Sequence, residues 1–466
     1  MRRAVAIVAI VSLSGCSLEP PLPITPLPVP EAWPAGDPYL LRAEAPLPAV
    51  TYRDIFRDPR LQALIVEALA NNRDLRVAAA NIAAARAQVR ITRANQFPEL
   101  DASGRATVAG GNAAGGGSGT SLGYNLGFAI PSFEIDVFGR LASLTRADQQ
   151  RLFATESAAR AVRLALVGDI ADAWLTYAAD SSLLTISEET AASAEKSVEL
   201  TRARLTGGIA PRTDLRQAQQ VLETARLDLA RQRSARARDV NLLQLLVGAP
   251  IGPSNLPASI EQAGPTIATL PAGLDSRVLL RRPDVVQAEF ELRAANAEIG
   301  AARAALFPTI SLTGLFGLAS SALTGIFSGG AFNWSASADV AYPIFRAGAG
   351  RARVAQTEAE RNATLASYEK AIQSAFREVA DALADRGTMN EQVRSARASV
   401  TATADALTLV TARYRGGIDP YLTLLDAQRS LYAAQRNRVS VELTQAQNAV
   451  ALYRALGADV LIGQAP

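Results

Sequence analysis

Histidine is absent from the 466-residue chain, cysteine occurs once and methionine twice. Without an imidazole base, neither a Ser/His/Asp triad nor a Cys/His pair can be assembled. Zinc sites of the His/Cys kind and any intrachain disulfide are excluded on the same ground. Carboxylate-only chemistry survives. Its best candidate is the four-apart pair Asp381 and Asp385, which reads more simply as a solvated helix face. Lysine is nearly missing too: Lys196 and Lys370 are the only two among 47 basic side chains. These bases barely exceed the 44 acids, for a net charge of +3, and no arginine cluster is dense enough to suggest nucleic acid. Aromatic residues make up 6% against 49% apolar, so the apolar mass is Ala, Val and Leu, the palette of long helices.

What is present begins with an address. Arg2 and Arg3 precede the apolar run Ala4 to Val11, followed by Leu13-Ser14-Gly15-Cys16. A charged start, a short apolar core and small residues before a cut site form a secretory signal peptide, residues 1–15. The run falls short of the ~20 residues a membrane-spanning helix needs. A cut before the sole cysteine resembles the lipobox of bacterial lipoproteins, which makes Cys16 the lipid-bearing N-terminus. Ser17 rather than aspartate after it fits export to the outer membrane. Residues 16–55 then read as an extended tail, with ten prolines between Ser17 and Pro48.

The rest is doubled with a period near 209. Gly207-Gly208-Ile209-Ala210-Pro211 recurs as Gly416-Gly417-Ile418-Asp419-Pro420, Phe97-Pro98 as Phe307-Pro308, and Leu246-Val247-Gly248-Ala249 as Ala455-Leu456-Gly457-Ala458. Phe138 recurs as Phe345, offset by 207. Repeat 1 covers 56–248, a Pro/Gly-rich joint 249–274, repeat 2 275–457, and a short tail 458–466. Each repeat opens on one helix with a coiled-coil stripe: Leu61, Leu64, Ala68, Asn71, Leu75, Ala78, Ile82, Ala85 and Val89 in the first, Val285 to Leu306 in the second. The Phe-Pro step ends it. Two alternating segments follow, about 99–110 and 121–136, then 309–319 and 331–343. Strict alternation over about ten residues is the signature of a membrane barrel strand. Next come proline-free stretches, 140–206 and 346–415, each about 100 Å long if continuously helical. A Gly-Gly turn and a return helix close each repeat.

Four strands cannot close a barrel, and lipid does not tolerate open sheet edges, so several chains must share one. Two would give eight strands with a filled interior; three would give twelve and leave room for a lumen.

At the second tip, Tyr414-Arg415-Gly416-Gly417-Ile418 and the run Tyr421-Leu422-Thr423-Leu424-Leu425-Asp426-Ala427-Gln428 resemble outer-membrane factors of the TolC/OprM type. Leu280-Arg281-Arg282-Pro283-Asp284 resembles the motif that opens their second half. The resemblance covers the whole mature chain and is strongest to the lipoprotein branch that serves drug-efflux pumps. It implies a mainly α fold with a membrane β-barrel. Three chains, each a duplicated helix-hairpin-helix-helix unit, would share a 12-stranded outer-membrane barrel on a long periplasmic coiled-coil tunnel. It also implies a periplasmic adaptor (membrane fusion) protein and an inner-membrane pump of the resistance-nodulation-division type as partners. No catalysis and no cofactor beyond the lipid on Cys16 are implied. Carried over by motif, Leu422 forms an apolar constriction and Asp426 a carboxylate ring. Thr213, Asp214 and Tyr414 form a latch between tips, with Asp214 pairing to Tyr414. The tip turns are Gly207, Gly208, Gly416 and Gly417. The chain departs from members with a second carboxylate at the place of Thr423 and an arginine at that of Asp419.

The spacing supports part of this independently of the resemblance. Leu422 and Asp426 are four apart and share one helix face. Repeated around an axis, apolar side chains can close a pore by dewetting, and clustered carboxylates attract cations. The leading expectation is therefore a passive exit duct for drugs or other small molecules. Two rivals differ in class: a trimeric coiled-coil surface adhesin, and an enzyme built on paired carboxylates. A third keeps the duct but changes its cargo to secreted protein or metal.

Overall fold

The structure is a computed structural model that describes residues 18–23, 26, 28–30, 32–34, 36, 39, 51–112, 118–268, 276–457 and 459. Cys16 and the signal segment lie outside the described residues. The chain forms two units. The first comprises Met1–Pro26, Ala80–Glu156 and Gln287–Glu369; the second comprises Leu27–Ala79, Ser157–Val286 and Lys370–Pro466.

The main helices are α1 (Tyr52–Ile55), α2 (Pro59–Asn71), α3 (Arg73–Ala94), α4 (Arg140–Thr206), α5 (Arg212–Val247), α6 (Ile260–Ala263), α7 (Pro283–Ala304), α8 (Ala349–Arg415) and α9 (Tyr421–Leu456). The strands are β1 (Asp101–Asn112), β2 (Ser118–Ile135), β3 (Thr309–Ser320) and β4 (Phe332–Ala341). The duplication is visible in the lengths: α4 and α8 each have 67 residues, α5 and α9 each have 36. Among the described residues no helix is long and apolar enough to cross a membrane.

The first unit carries the sheet, antiparallel in the order β1-β2-β3-β4. Its register aligns like with like. Ala102 lies opposite Phe128, Phe128 opposite Phe316, and Phe316 opposite Trp334. This row crosses all four strands on one face, and Phe128 stacks on Phe316 at 5.3 Å. Apolar side chains of that face are exposed or half-buried, Trp334 and Val108 to 70%, in keeping with the barrel strands expected from the sequence. A β-bulge between Ile130 and Phe133 takes up the extra residue around Pro131, so Phe133 and Ile135 return to the apolar face opposite Leu312 and Ile310. Gly127 and Gly317 face each other where a Cβ on either would lie under 3 Å from the opposite backbone.

Below the strands, β2 passes into α4 through a cap. Asp136 accepts from the Leu141 and Ala142 N–H groups at 3.1 and 2.7 Å, and Arg140 is paired with Glu134. Part of the proline-rich tail is seated on this unit. Glu19 pairs with Arg146 at 2.7 Å, and Asn296 donates to the Pro20 carbonyl at 2.8 Å. Gly300 makes the space, since a Cβ there would stand 2.6 Å from Glu19.

In the second unit two expectations are corrected. The opening helix of repeat 1 was expected to run unbroken through Asn71 and Leu75, but it divides at Asn72. Asn72 is buried, takes extended backbone at ψ 138° and bonds in both directions. Its Oδ1 accepts from the Asp74 and Leu75 N–H groups at 2.8 and 3.1 Å, capping α3. Its Nδ2 donates to the Leu246 carbonyl at 2.8 Å, tying the break to the end of α5. The stripe survives on both sides because Leu61, Leu64 and Ala68 are buried and Leu75, Ala78, Ile82, Ala85 and Val89 half-buried.

The second correction concerns the tail and its expected end at residue 55. Tyr52–Ile55 is a helical turn with both end residues buried. Asp459 accepts from the Tyr52 N–H at 2.7 Å and from the Tyr453 hydroxyl at 2.8 Å. The described part of the joint between repeats, residues 249–268, is packed. Ile251, Ile260, Ala263 and Ile267 are buried, and Ile267 bridges to Phe56.

Candidate functional site

The candidate site lies in the second unit, where the two Gly-Gly turns end the long helices. Each turn closes the same way. Gly207 N–H donates to the Ala203 carbonyl at 3.0 Å and Ile209 N–H to Arg204 at 2.8 Å; Gly416 donates to Ala412 at 3.0 Å and Ile418 to Arg413 at 2.9 Å. Gly208 and Gly417 sit at φ +73° and +75°, while a Cβ at either would meet nothing. Glycine is needed there for backbone conformation, not for room. Pro211 and Pro420, at φ −76° and −72°, then start α5 and α9.

Above the turns four helices share one core. Ala191, Ala194 and Val198 of α4 pack with Ala218, Leu222 and Ala225 of α5, Tyr414 of α8 and Tyr421, Leu424 and Leu425 of α9. The alanines permit close approach; Tyr414 and Tyr421 fill the space between, rings 5.8 Å apart. Gln428 reinforces the packing by donating to the Ser197 hydroxyl at 3.1 Å.

The expected gate residues occupy the opposite face of α9. Leu422 is 55% exposed and Asp426 is exposed, as is Thr423 between them, while Tyr421, Leu424 and Leu425 are buried. Within the protomer Leu422 is thus a large apolar side chain turned to solvent, one helical turn from a carboxylate.

The expected latch is arranged differently from the resemblance. Thr213 is exposed and Asp214 half-buried. The Tyr414 hydroxyl is buried and has no hydrogen-bond partner, so the pairing of Asp214 with Tyr414 is not formed. The Tyr414 side chain is packed in the alanine-rich core. Asp214 acts instead on Tyr421. Burial pushes that phenol up to about 12, with Tyr414 and the Asp214 charge adding to the rise and Arg429 opposing it.

A residue that sequence reasoning missed holds the two tips together. Arg204 donates from Nη1 to the Tyr414 carbonyl at 2.8 Å, and its guanidinium lies 4.6 Å from the centre of the Tyr414 ring. Its counterpart in the second repeat, Arg413, is tied up in its own turn by Asp419 through two hydrogen bonds of 2.8 and 2.9 Å. That guanidinium holds the Asp419 carboxyl below the usual carboxylate range. The first turn has Ala210 where the second has Asp419. Among the described residues Arg204 forms no ion pair, and it reaches across to Tyr414. The signal in the sequence is an acid, Asp419, in one turn and Ala210 at the same place in the other.

The enzymatic rival loses its candidate pair. Asp381 and Asp385 are both exposed, and Asp381 is paired with Arg377 on the same helix at 2.8 Å.

With this geometry in view, the comparisons with known proteins are direct. A family model described as "Outer membrane efflux protein" matches residues 64–249 and 274–458. The antibiotic efflux pump outer membrane protein ArpC of Pseudomonas putida is 42% identical over 450 residues, covering 96% of this chain and 93% of that protein. The toluene efflux pump outer membrane protein TtgC of the same species is also 42% identical, with the same coverage. Among solved structures, the open state of the Neisseria gonorrhoeae MtrE outer membrane channel matches with a TM-score of 0.82 and 34% identity, covering 95% of this chain and 98% of that one. The chain belongs to the outer membrane efflux protein family, as an outer-membrane channel of an efflux system with a long periplasmic part and no enzymatic activity.

Proposed function

We propose that three copies of this chain form one passive exit duct for small apolar or amphipathic molecules, gated at the helical tips. The observation that carries this reading is the face of α9 that bears Leu422 and Asp426. An apolar side chain 55% exposed, one turn from an exposed carboxylate, lacks a packing partner among the described residues of the protomer. Threefold repetition around an axis supplies one: three leucines meet as an apolar constriction, and three carboxylates stand as a ring beside it. The free edges of the sheet support the same arrangement, because β1 and β4 need partners in lipid and twelve strands enclose a lumen.

In this reading the protein lowers no chemical barrier. A pump of the resistance-nodulation-division type in the inner membrane supplies energy and selects cargo, and a periplasmic adaptor joins it to the tips. A lipid on Cys16 adds a second attachment to the outer membrane, with the seated tail around Glu19 and Pro20 leading to it. Opening requires α9 and α8 to move off α4 and α5, which breaks the Arg204–Tyr414 contact. The antibiotic and toluene pumps of the relatives favour small, largely apolar cargo over protein or metal.

Deleting the gene in its own host tests the reading. Accumulation of a fluorescent apolar dye rises, and expression of the wild-type chain restores it. Unchanged accumulation of dye, solvent and antibiotics alike would count against a small-molecule duct.

A further inference from the structure

The sheet ends in two unpaired edges, and the duplication shows how another copy meets them. In the first hairpin Asp101 lies opposite Ala129; in the second Ser311 lies opposite Asp339. The Phe-Pro step that precedes β1 and β3 advances by 210 positions, and these pairings then require the step from β2 to β4 to be 210 as well. Between the repeats, β2 meets β3 with Phe128 opposite Phe316, Ala129 opposite Leu315 and Ile130 opposite Gly314. Advancing β2 by one repeat gives β4, and moving β3 back by one gives β1. The junction inside the chain thus prescribes a second junction, between β4 and the β1 of another copy. The bulge past Ile130 maps just past Val340, so one register holds from Trp334 to Val340.

We propose that copies of this chain join through a β4–β1 junction of fixed register, in which Ala338 lies opposite the partner's Ala106 and Asp339 forms an ion pair with the partner's Arg105. The proposal rests on the trimeric reading above and adds its residue-level geometry. The register follows from backbone pairing and the repeat offset without reference to charge, yet it sets the only acid of β4 against the only base of β1. Among the described residues neither has an ion-pair partner in its own protomer; Asp339 accepts only from the Ser337 hydroxyl, at 3.4 Å. A slip of two residues either way would leave Asp339 opposite Ser103 or Thr107 of the partner subunit. A slip of one would turn an apolar face into the lumen. The same register places Trp334 opposite the partner's Gly110, where an indole can cover bare backbone. Directly opposite side chains are about 5 Å apart at Cβ, close enough for a charge pair. The pair stands on the polar face with Thr107 and Ser337, so in a closed barrel it links the copies from the lumen side.

Cysteine pairs in the full-length membrane protein test this, with the wild type controlling for Cys16. Ala338→Cys combined with Ala106→Cys gives disulfide-linked dimers and trimers on mild oxidation. Ala338→Cys with Gly104→Cys or Val108→Cys links at least several-fold less, because diagonal neighbours about 7–8 Å apart lie at or beyond disulfide reach. Asp339→Arg lowers the recovered oligomer, and Asp339→Arg with Arg105→Asp restores it. A displaced pair linking best would overturn the register. No loss in Asp339→Arg would overturn the ion pair. A wild-type native mass in detergent other than three chains would overturn the trimeric reading itself. A mass of three with no link in any pair would overturn the junction alone.

Discussion

The contact between the tips predicts what releases them. In Arg204→Ala the hydrogen bond to the Tyr414 carbonyl is lost, together with the guanidinium over the Tyr414 ring. A charged hydrogen bond contributes about 1.5–3 kcal/mol and an exposed cation–π contact about 0.5–1. Arg204 is half-buried, so water replaces part of both, leaving about 2 kcal/mol per protomer. At about 1.4 kcal/mol per factor of ten, the opening equilibrium of each tip shifts roughly 30-fold. The assay is release of a small trapped dye from liposomes holding the purified protein. Arg204→Ala releases it faster than wild type, and Arg204→Lys falls between, since a lysine keeps the charge without the planar fork. Tyr414→Phe behaves as wild type, because the hydroxyl it removes has no hydrogen-bond partner. A leaky Tyr414→Phe beside a silent Arg204→Ala would refute the reasoning and return the latch to the tyrosine hydroxyl.

Three further outcomes follow from single sites. Asn72→Ala strips the α3 cap and the bond to Leu246, costing about 2–3 kcal/mol, read as a lower thermal midpoint with normal oligomer size. In Gly317→Val a Cβ would stand 2.5 Å from the Leu126 carbonyl oxygen, so heat-stable oligomer disappears from the outer-membrane fraction while Gly314→Val is better tolerated. Asp239 of α5 is half-buried against Asp180 of α4. Burial pushes it up to about 7, with the Asp180 charge adding and Arg238 opposing. The folded state binds this proton more tightly than the unfolded chain, so the stability it confers is full below about pH 4 and is lost as pH rises through about 7. The thermal midpoint of the wild type falls from pH 5 to pH 8 more steeply than that of Asp239→Asn.

Most of the fold could be read from the chain because its patterns are long and repeated. Of the stripe that opens the first repeat, Leu61, Leu64 and Ala68 are buried on α2. The Gly-Gly turns fell where two left-handed glycines were needed. Asn72 was missed because periodicity does not register a break that leaves the stripe in phase; the clue was an asparagine with the donor and acceptor to cap one helix and bond another. The end of the tail was misplaced because the partner that buries Tyr52 is Asp459, some 400 residues away. At the tips, a motif located Leu422, Asp426 and Tyr414, but not what Tyr414 touches. That depends on Ala210 standing where Asp419 does in the other repeat, a one-residue difference that frees Arg204.

The central claim, a duct closed at the second tip, is tested most directly by single-channel conductance of the purified protein in a planar bilayer beside Leu422→Ala and Asp426→Ala. The account predicts a small, cation-preferring conductance that grows when Leu422 is cut back and loses its cation preference when Asp426 is neutralised. A wild type, Leu422→Ala and Asp426→Ala of equal conductance and selectivity would contradict the gate. A folded oligomer that conducts in none of the three would contradict the duct.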